Sequence, residues 1–231
     1  MRLIGVLGGT GWRSTVLPYR YLNEEVERRL GMLHSARIAL YSVDYSQIRT
    51  AYAGDDWSVI PALLLKEVKT LLSFSPDCWM IANNTLHKFV GQIASDLHGG
   101  PPLMHAVQLV RDHLASRGIS RALLLGTRFT MEDDYYTAPL AAAGIDVAIP
   151  ERVDRDRIQA IQTQLANGVS DPTFPAFFAD LIQRHANHGC QAVVAACTEL
   201  PLAITQDISS IEVIDPLRLQ CSACVDFALA P

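Results

Sequence analysis

Short apolar runs that alternate with longer segments of helical period predict an α/β fold, in which parallel strands are joined by crossover helices. A weak internal repeat refines this. Leu3-Ile4-Gly5-Val6-Leu7-Gly8-Gly9-Thr10 and Arg121-Ala122-Leu123-Leu124-Leu125-Gly126-Thr127 both read as strands entering a glycine turn, and Met80-Ile81-Ala82-Asn83-Asn84-Thr85-Leu86 ends much as Ala195-Ala196-Cys197-Thr198-Glu199-Leu200 does. The repeat predicts two pseudo-symmetric, Rossmann-like lobes with parallel sheets and an active-site cleft between them.

In chain order, the β-rich apolar runs predict strands at Leu3 to Leu7, Ala36 to Ser42, Cys78 to Ala82, Ala122 to Leu125, Asp146 to Ile149, Ala192 to Ala196 and Glu212 to Ile214. Helical period places helices at Thr15 to Leu30, Val59 to Ser73, Met104 to Arg117, Met131 to Ala143, Arg155 to Ala166 and Pro175 to His188, with a last helix at Leu217 to Leu229. The Gly99-Gly100-Pro101-Pro102 cluster marks the lobe boundary. The last helix is expected to return to the first lobe, so the division runs residues 1–99 with 207–231 against residues 100–206.

With 231 residues, 49% of them hydrophobic, the chain can bury a sizeable core without disulfides or metals. Its net charge of -5 is spread along the chain with no Lys/Arg run, which argues against a nucleic-acid partner. The apolar start is too short for a signal segment and meets a glycine turn at once. No later stretch approaches the roughly 18 uninterrupted apolar residues of a membrane span. Five cysteines at irregular spacing fit a reducing compartment better than a disulfide framework. A soluble, cytoplasmic protein with no membrane partner is expected.

Ligands in open parallel sheets bind beyond the carboxyl ends of the strands. That rule gathers Gly8 to Thr10, Asn83 to Thr85, Thr127 and Cys197 to Glu199 around the expected cleft. Cys197 follows an apolar strand, so its sulfur is expected at a strand end beside a helix N-terminus, where amide N–H groups favour a thiolate able to act as base, acid or nucleophile. Thr85, Thr127 and Thr198 each follow a strand and can hold a substrate carboxylate while capping a helix. The Gly8-Gly9-Thr10-Gly11 turn lacks the spacing of a dinucleotide fingerprint and the Gly-Lys-Ser/Thr of a P-loop. It reads as a turn that lets a ligand approach the backbone. Cys221 and Cys224 form a CxxC inside a predicted helix with no second pair, so neither zinc nor redox chemistry is expected of them. Cys78 and Cys190 read as packing residues.

The segments Leu7-Gly8-Gly9-Thr10-Gly11-Trp12-Arg13-Ser14-Thr15, Leu33-His34-Ser35-Ala36, Ser42-Val43-Asp44-Tyr45, Asn84-Thr85-Leu86-His87-Lys88, Gly126-Thr127-Arg128-Phe129-Thr130-Met131-Glu132 and Cys197-Thr198-Glu199 occur in order over nearly the whole chain. Together they resemble the signature segments of the aspartate/glutamate racemase family. The resemblance implies a small carboxylated amino acid as substrate, no pyridoxal phosphate or other cofactor, no metal, and a homodimer. It also implies two opposed cysteines, one removing the α-proton as a thiolate while the other delivers a proton to the opposite face.

One of the two is missing. The residue before the Asn84-Thr85-x-His87 run, a cysteine in the family, is Asn83 here, and a carboxamide is neither acid nor base near neutral pH. Asn83 and Cys197 therefore stand at the two catalytic positions, with Gly9, Thr10, Asn84, Thr85, Thr127, Thr198 and Glu199 as candidate substrate contacts. Where relatives carry Met-Ser-Trp-Glu-Ser-Thr this chain has Thr10-Gly11-Trp12-Arg13-Ser14-Thr15, and where they carry Asp-Thr followed by a histidine it has Asp215-Pro216 and later Gln220. A glutamine of close relatives is Tyr52. Arg13, Arg49 and Tyr52 become candidates for recognising the distal group of the substrate. His87 is placed to orient groups near Asn83. The implied activity is a one-thiol, atypical racemase or epimerase; the alternatives are a single-cysteine decarboxylase or lyase of the same superfamily and a non-catalytic carboxylate binder.

Overall fold

The computed structural model describes residues 1–53 and 57–231. It is an α/β fold with two parallel sheets, and the chain divides into two compact units: Met1–His105 with Gln220–Pro231, and Ala106–Leu219. The first unit contains β1 (Ile4–Gly8), α1 (Trp12–Leu30), β2 (Ile38–Ser42), α2 (Ser46–Ala53), α3 (Ile60–Leu72), β3 (Cys78–Ile81) and α4 (Val90–Ile93), with 3-10 turns at Thr85–Phe89 and Ala94–Leu97. Its sheet has the order β2-β1-β3, all parallel. The central strand β1 is buried along its whole length, as a strand covered on both faces must be. Leu7, Ile60, Leu64, Val68, Ile81, Leu86 and Phe89 form the core under α3.

The second unit contains α5 (Ala106–Ser116), β4 (Arg121–Gly126), α6 (Arg128–Glu132), α7 (Asp134–Ala142), β5 (Asp146–Ala148), α8 (Arg152–Ala166), α9 (Thr173–Asn187), β6 (Ala192–Ala196) and β7 (Glu212–Ile214). Its parallel sheet runs β5-β4-β6-β7. Alternate residues of a strand face opposite sides, and the cores follow this. Leu123, Leu125, Val193 and Ala195 join Ile158, Ile161, Phe178 and Leu181 of α8 and α9 on one face. Ala122, Leu124, Val194 and Ala196 join Val107, Val110, Leu114, Tyr136 and Leu140 of α5 and α7 on the other. The last helix, α10 (Pro216–Leu229), begins in the second unit and continues into the first.

Several elements differ from the sequence expectation, each for a visible reason. The segment Met131 to Ala143 is two helices, because Asp133 takes an extended conformation with φ -88° and ψ 160°. The Gly99-Gly100-Pro101-Pro102 stretch belongs to the first unit, since Trp79 N donates to Pro102 O (3.0 Å), Met104 N donates to Trp79 O (2.8 Å) and the Trp79 indole donates to Pro101 O (3.1 Å). The unit therefore runs on to His105. Strand β7 is hydrogen bonded to β6, so the return to the first unit falls at Gln220 inside α10 and not at residue 207. Helix α2 and the short helical turns after β3 have no counterpart among the predicted elements.

Candidate active site

In the first unit, the carboxyl ends of β1 and β3 bring Gly9, Thr10, Asn83, Asn84 and Thr85 together. The glycine turn is dictated by sterics. A Cβ on Gly8 would lie 2.4 Å from Thr15 Cγ2, and Gly9 has φ +93° with a hypothetical Cβ 2.3 Å from Val43 O. Thr15 Oγ1 accepts from Gly9 N (2.8 Å) and donates to Gly11 O (3.0 Å), which ties the turn to the start of α1. Asn83 uses both ends of its amide: Oδ1 accepts from Leu86 N (2.8 Å), and Nδ2 donates to Thr10 Oγ1 (3.1 Å). The first bond fixes the orientation of the amide, since only oxygen can accept there. Asn84 and Thr85 are buried where the Thr85–Phe89 turn begins.

His87 lies directly behind this turn. Its Nδ1 is 2.8 Å from Asn83 O, and because a carbonyl only accepts, Nδ1 carries the proton. Its Nε2 is 3.5 Å from Gln220 Nε2, whose amide also donates to Met104 O (2.8 Å) and Ile81 O (3.3 Å). Burial first, and the neighbouring His105 second, hold the imidazole far below its ordinary value, down to about 3. His87 is thus a neutral tether of the Asn83 backbone. Arg49 and Tyr52 both lie on α2, Arg49 exposed and Tyr52 half-buried, its ring edge-on to Trp57 at 4.9 Å. Arg13 is exposed and stacks over Trp12, 4.5 Å from the ring centroid.

In the second unit, Gly126-Thr127 ends β4, and Cys197-Thr198-Glu199 follows β6, the next strand in the sheet. Cys197, Thr198 and Glu199 are all buried. One carboxylate oxygen, Glu199 Oε2, accepts from the Cys197 thiol (3.1 Å) and from the Thr198 hydroxyl (2.9 Å). The electrostatics reverse the expectation of a thiolate. Burial pushes the Cys197 thiol well above its ordinary range, and the Glu199 carboxylate beside it pushes in the same direction; the Thr198 and Glu199 amides work the other way and are outweighed. The element that follows is a three-residue 3-10 turn, Leu200–Leu202, and not an α-helix whose dipole could compensate. Cys197 is therefore a protonated thiol with a proton acceptor already in contact.

Thr127 caps α6, its Oγ1 accepting from Thr130 N (3.3 Å). Thr130 and Tyr135, neither of them a predicted site residue, form a hydroxyl chain with it: Thr127 Oγ1 is 3.1 Å from Thr130 Oγ1, itself 2.9 Å from the Tyr135 hydroxyl. Thr15 and Thr130 carry a signal that could have found them, since each lies a short step beyond the glycine ending the first strand of its half. Cys78, Cys190, Cys221 and Cys224 are buried free thiols. Among the described residues no group of three or more His, Cys, Asp or Glu is arranged to hold a metal ion, and no helix is long and apolar enough to cross a membrane.

Comparison with known proteins matches this architecture at full length. A Yersinia pestis protein provisionally described as an Asp/Glu racemase is 33% identical over the whole of both chains, with a TM-score of 0.89. An aspartate racemase homologue from Pyrococcus horikoshii OT3 is 26% identical, again over the whole of both chains, with a TM-score of 0.85. Glutamate racemase from Francisella tularensis, solved with D-glutamate, shares the fold at 17% identity, covering 99% of this chain and 81% of its own, with a TM-score of 0.69. The pattern of the Asp/Glu/hydantoin racemase family matches residues 7–224, and the chain belongs to that family.

Proposed function

We propose that the protein is a racemase or epimerase acting at the α-carbon of an aspartate- or glutamate-like amino acid, with Cys197 as its one thiol. The observation that carries this reading is the Cys197–Glu199 contact at 3.1 Å: a buried thiol has little use for a carboxylate partner unless protons are exchanged through it. The thiol proton passes to Glu199, and the resulting thiolate takes the α-proton, leaving a carbanion stabilised by the adjacent carboxylate. Water delivers a proton to the other face, and Glu199 releases the proton it took to solvent, which neutralises the hydroxide formed. Sulfur and carboxylate end as they began. Asn83 carries no proton; it holds Thr10 and the Thr85–Phe89 turn in place. Gly9, Thr10, Asn84, Thr85, Thr127 and Thr198 are the proposed substrate contacts at the strand ends, and Arg49 and Tyr52 those for the distal group. Pyridoxal phosphate-independent chemistry in a cytoplasmic homodimer accompanies this reading through the family resemblance.

Incubation with L- and D-aspartate and glutamate in deuterated water tests it. Deuterium at the α-carbon and inversion are expected, unequal between enantiomers, and lost by at least about a hundredfold in Cys197→Ala. Wild-type protein that neither exchanges nor inverts any of the four sinks the proposal.

The protonated state of Cys197 favours one second reading, a decarboxylase in which the thiol delivers a proton to an enediolate formed by loss of carbon dioxide. Here a single acid suffices. Both readings start from the protonated thiol beside Glu199, so the substrate separates them: carbon dioxide release from malonate-type diacids with one product enantiomer supports the decarboxylase, and inversion of amino acids without it supports the racemase.

A further inference from the structure

We infer that the outer face of α1 is a docking surface for a second copy of this chain, the two α1 helices packing antiparallel about a two-fold axis. The inference does not rest on the catalytic reading.

Helix α1 is engaged by its own unit on two sides. Tyr21, Leu22 and Val26 are buried in the first unit. Toward α10, the Cys221 thiol approaches Pro18 O at 3.9 Å and Arg29 pairs with Asp226. The third side carries Trp12, Val16 and Tyr19, which are 66%, 61% and 56% exposed. Their i, i+4, i+7 spacing sets them on one arc of the helix. Single exposed apolar side chains are ordinary, but a contiguous patch holding two large rings marks an interface, and Trp and Tyr are the residues enriched at interface centres. Asn23, next along the same arc, is fixed at both ends: Oδ1 accepts from Ala36 N (2.9 Å) and Nδ2 donates to Tyr19 O (2.7 Å). The patch therefore adjoins the segment entering β2. That strand is an edge, with no strand on its outer side among the described residues, and Ile38-Ala39-Leu40-Tyr41-Ser42 contains no charge or proline to guard it.

Charge complementarity selects the occupant. On one flank of the apolar stripe, Arg13 and Arg20 lie in the N-terminal half of α1 and Glu24 and Glu27 in the C-terminal half, all exposed. A two-fold axis perpendicular to the helix keeps this flank on the same side of both copies and reverses its direction. The basic half of each copy then faces the acidic half of the other, and an isologous contact makes every pairing twice. With the axis between Val16 and Tyr19, Val16 meets the partner's Tyr19, Trp12 lies over the partner's Asn23, and Arg13 comes within a turn of the partner's Glu24. The Arg20–Glu24 pair within one helix, 3.3 Å apart and exposed, is worth little in water and yields to the new pairing at small cost. The exposed parts of two rings of about 150 to 250 Å² each, with Val16, the four charged side chains and the rim of β2, approach the roughly 800 Å² per partner of a specific interface.

Sedimentation of the full chain over a dilution series, from tens of nanomolar to tens of micromolar, tests this, with Tm recorded for each variant. Wild type is expected at twice the 25.4 kDa chain mass at the upper end and to dissociate on dilution. Val16→Glu combined with Tyr19→Glu is expected to raise the dimer Kd at least about a hundredfold. Val153→Glu, at an exposed valine of α8, is expected to leave it unchanged. Glu24→Arg is expected to raise Kd at least about threefold at low salt and much less at high salt, and Arg13→Glu added to Glu24→Arg to return it to within about twofold of wild type. Should the double glutamate variant fail to fold, the charge-exchange pair decides. Wild type that stays monomeric throughout overturns the inference. So does a dimer that neither the stripe nor the charge variants weaken, which would meet on another face, and so does a mass that grows past the dimer with concentration, the mark of a head-to-tail contact.

Discussion

Burial removes from His87 the charge that histidine ordinarily carries in mild acid. In the unfolded chain it takes up a proton near pH 6.5, in the fold only near 3. Between these values the unfolded state binds the extra proton, so stability is complete above pH 6.5 and drains as pH falls toward 3. His87→Gln is expected to flatten the fall of Tm between pH 6.5 and 4.5. Asp215 titrates in the opposite sense. Its Oδ1 accepts from Leu217 N (2.9 Å) at the start of α10, Oδ2 has no hydrogen-bond partner among the described residues, and burial raises the carboxyl to about 6 against the favourable Arg218 charge; Tyr136 is the other titratable group facing it. The folded state holds that proton more tightly, so its contribution is full below about pH 4 and lost as pH rises through 6. Asp215→Asn, which keeps a capping oxygen, is expected to stabilise by about 2 to 3 kcal/mol at pH 7.5 and much less at pH 4.5, as read from denaturant melts at the two values. The position of Asn83 just beyond the end of β3 was legible in the chain alone. The state of Cys197 was not, because it is set by how deeply Ala196 and its neighbours are packed and by Glu199 turning back onto the sulfur.

At the scale of elements, the strands were the most legible part: β1, β3, β4 and β6 are buried, short apolar runs, and among the described residues the edge strands β2, β5 and β7 also lie at predicted positions. What was missed had too little pattern to read. Helix α2 places Ile48 in the core and Tyr52 beside it, a single i, i+4 pair in eight residues, below the length at which helical period separates from chance. The turns after β3 are tied by Asn83 and His87 and bury Leu86, Phe89 and Ile93, but as short 3-10 and α pieces that break the helical period. The glycine turn after β1 was read as a place for backbone approach, and its sterics make it a demanding one. Gly9→Ala must hold a Cβ at φ +93° against the Val43 backbone. A cost of about 2 to 5 kcal/mol is expected from strain and overlap together, measured as a lowered denaturant midpoint with an unchanged m-value. Gly31→Ala, at φ +94° with no atom within 4 Å of the added Cβ, is the control that carries only the backbone part.

For the whole molecule, the internal repeat seen in the sequence corresponds to two separately cored units, but their limits were not legible. A Gly/Pro cluster announces a turn, and only the hydrogen bonds of Trp79 reveal that this turn lies inside the first unit. The returning segment was likewise located by pairing that no local pattern records, β7 beside β6. The distribution of sulfur has a practical corollary. Every one of the five cysteines is free and shielded from solvent, Cys78, Cys221 and Cys224 in the first unit and Cys190 and Cys197 in the second. A small aromatic disulfide reagent should find the native protein nearly colourless on the timescale of minutes and liberate five equivalents of chromophore once guanidinium is added. Mass spectrometry of partially labelled molecules then timestamps which unit opens first, with the molecule's own chemistry serving as the clock.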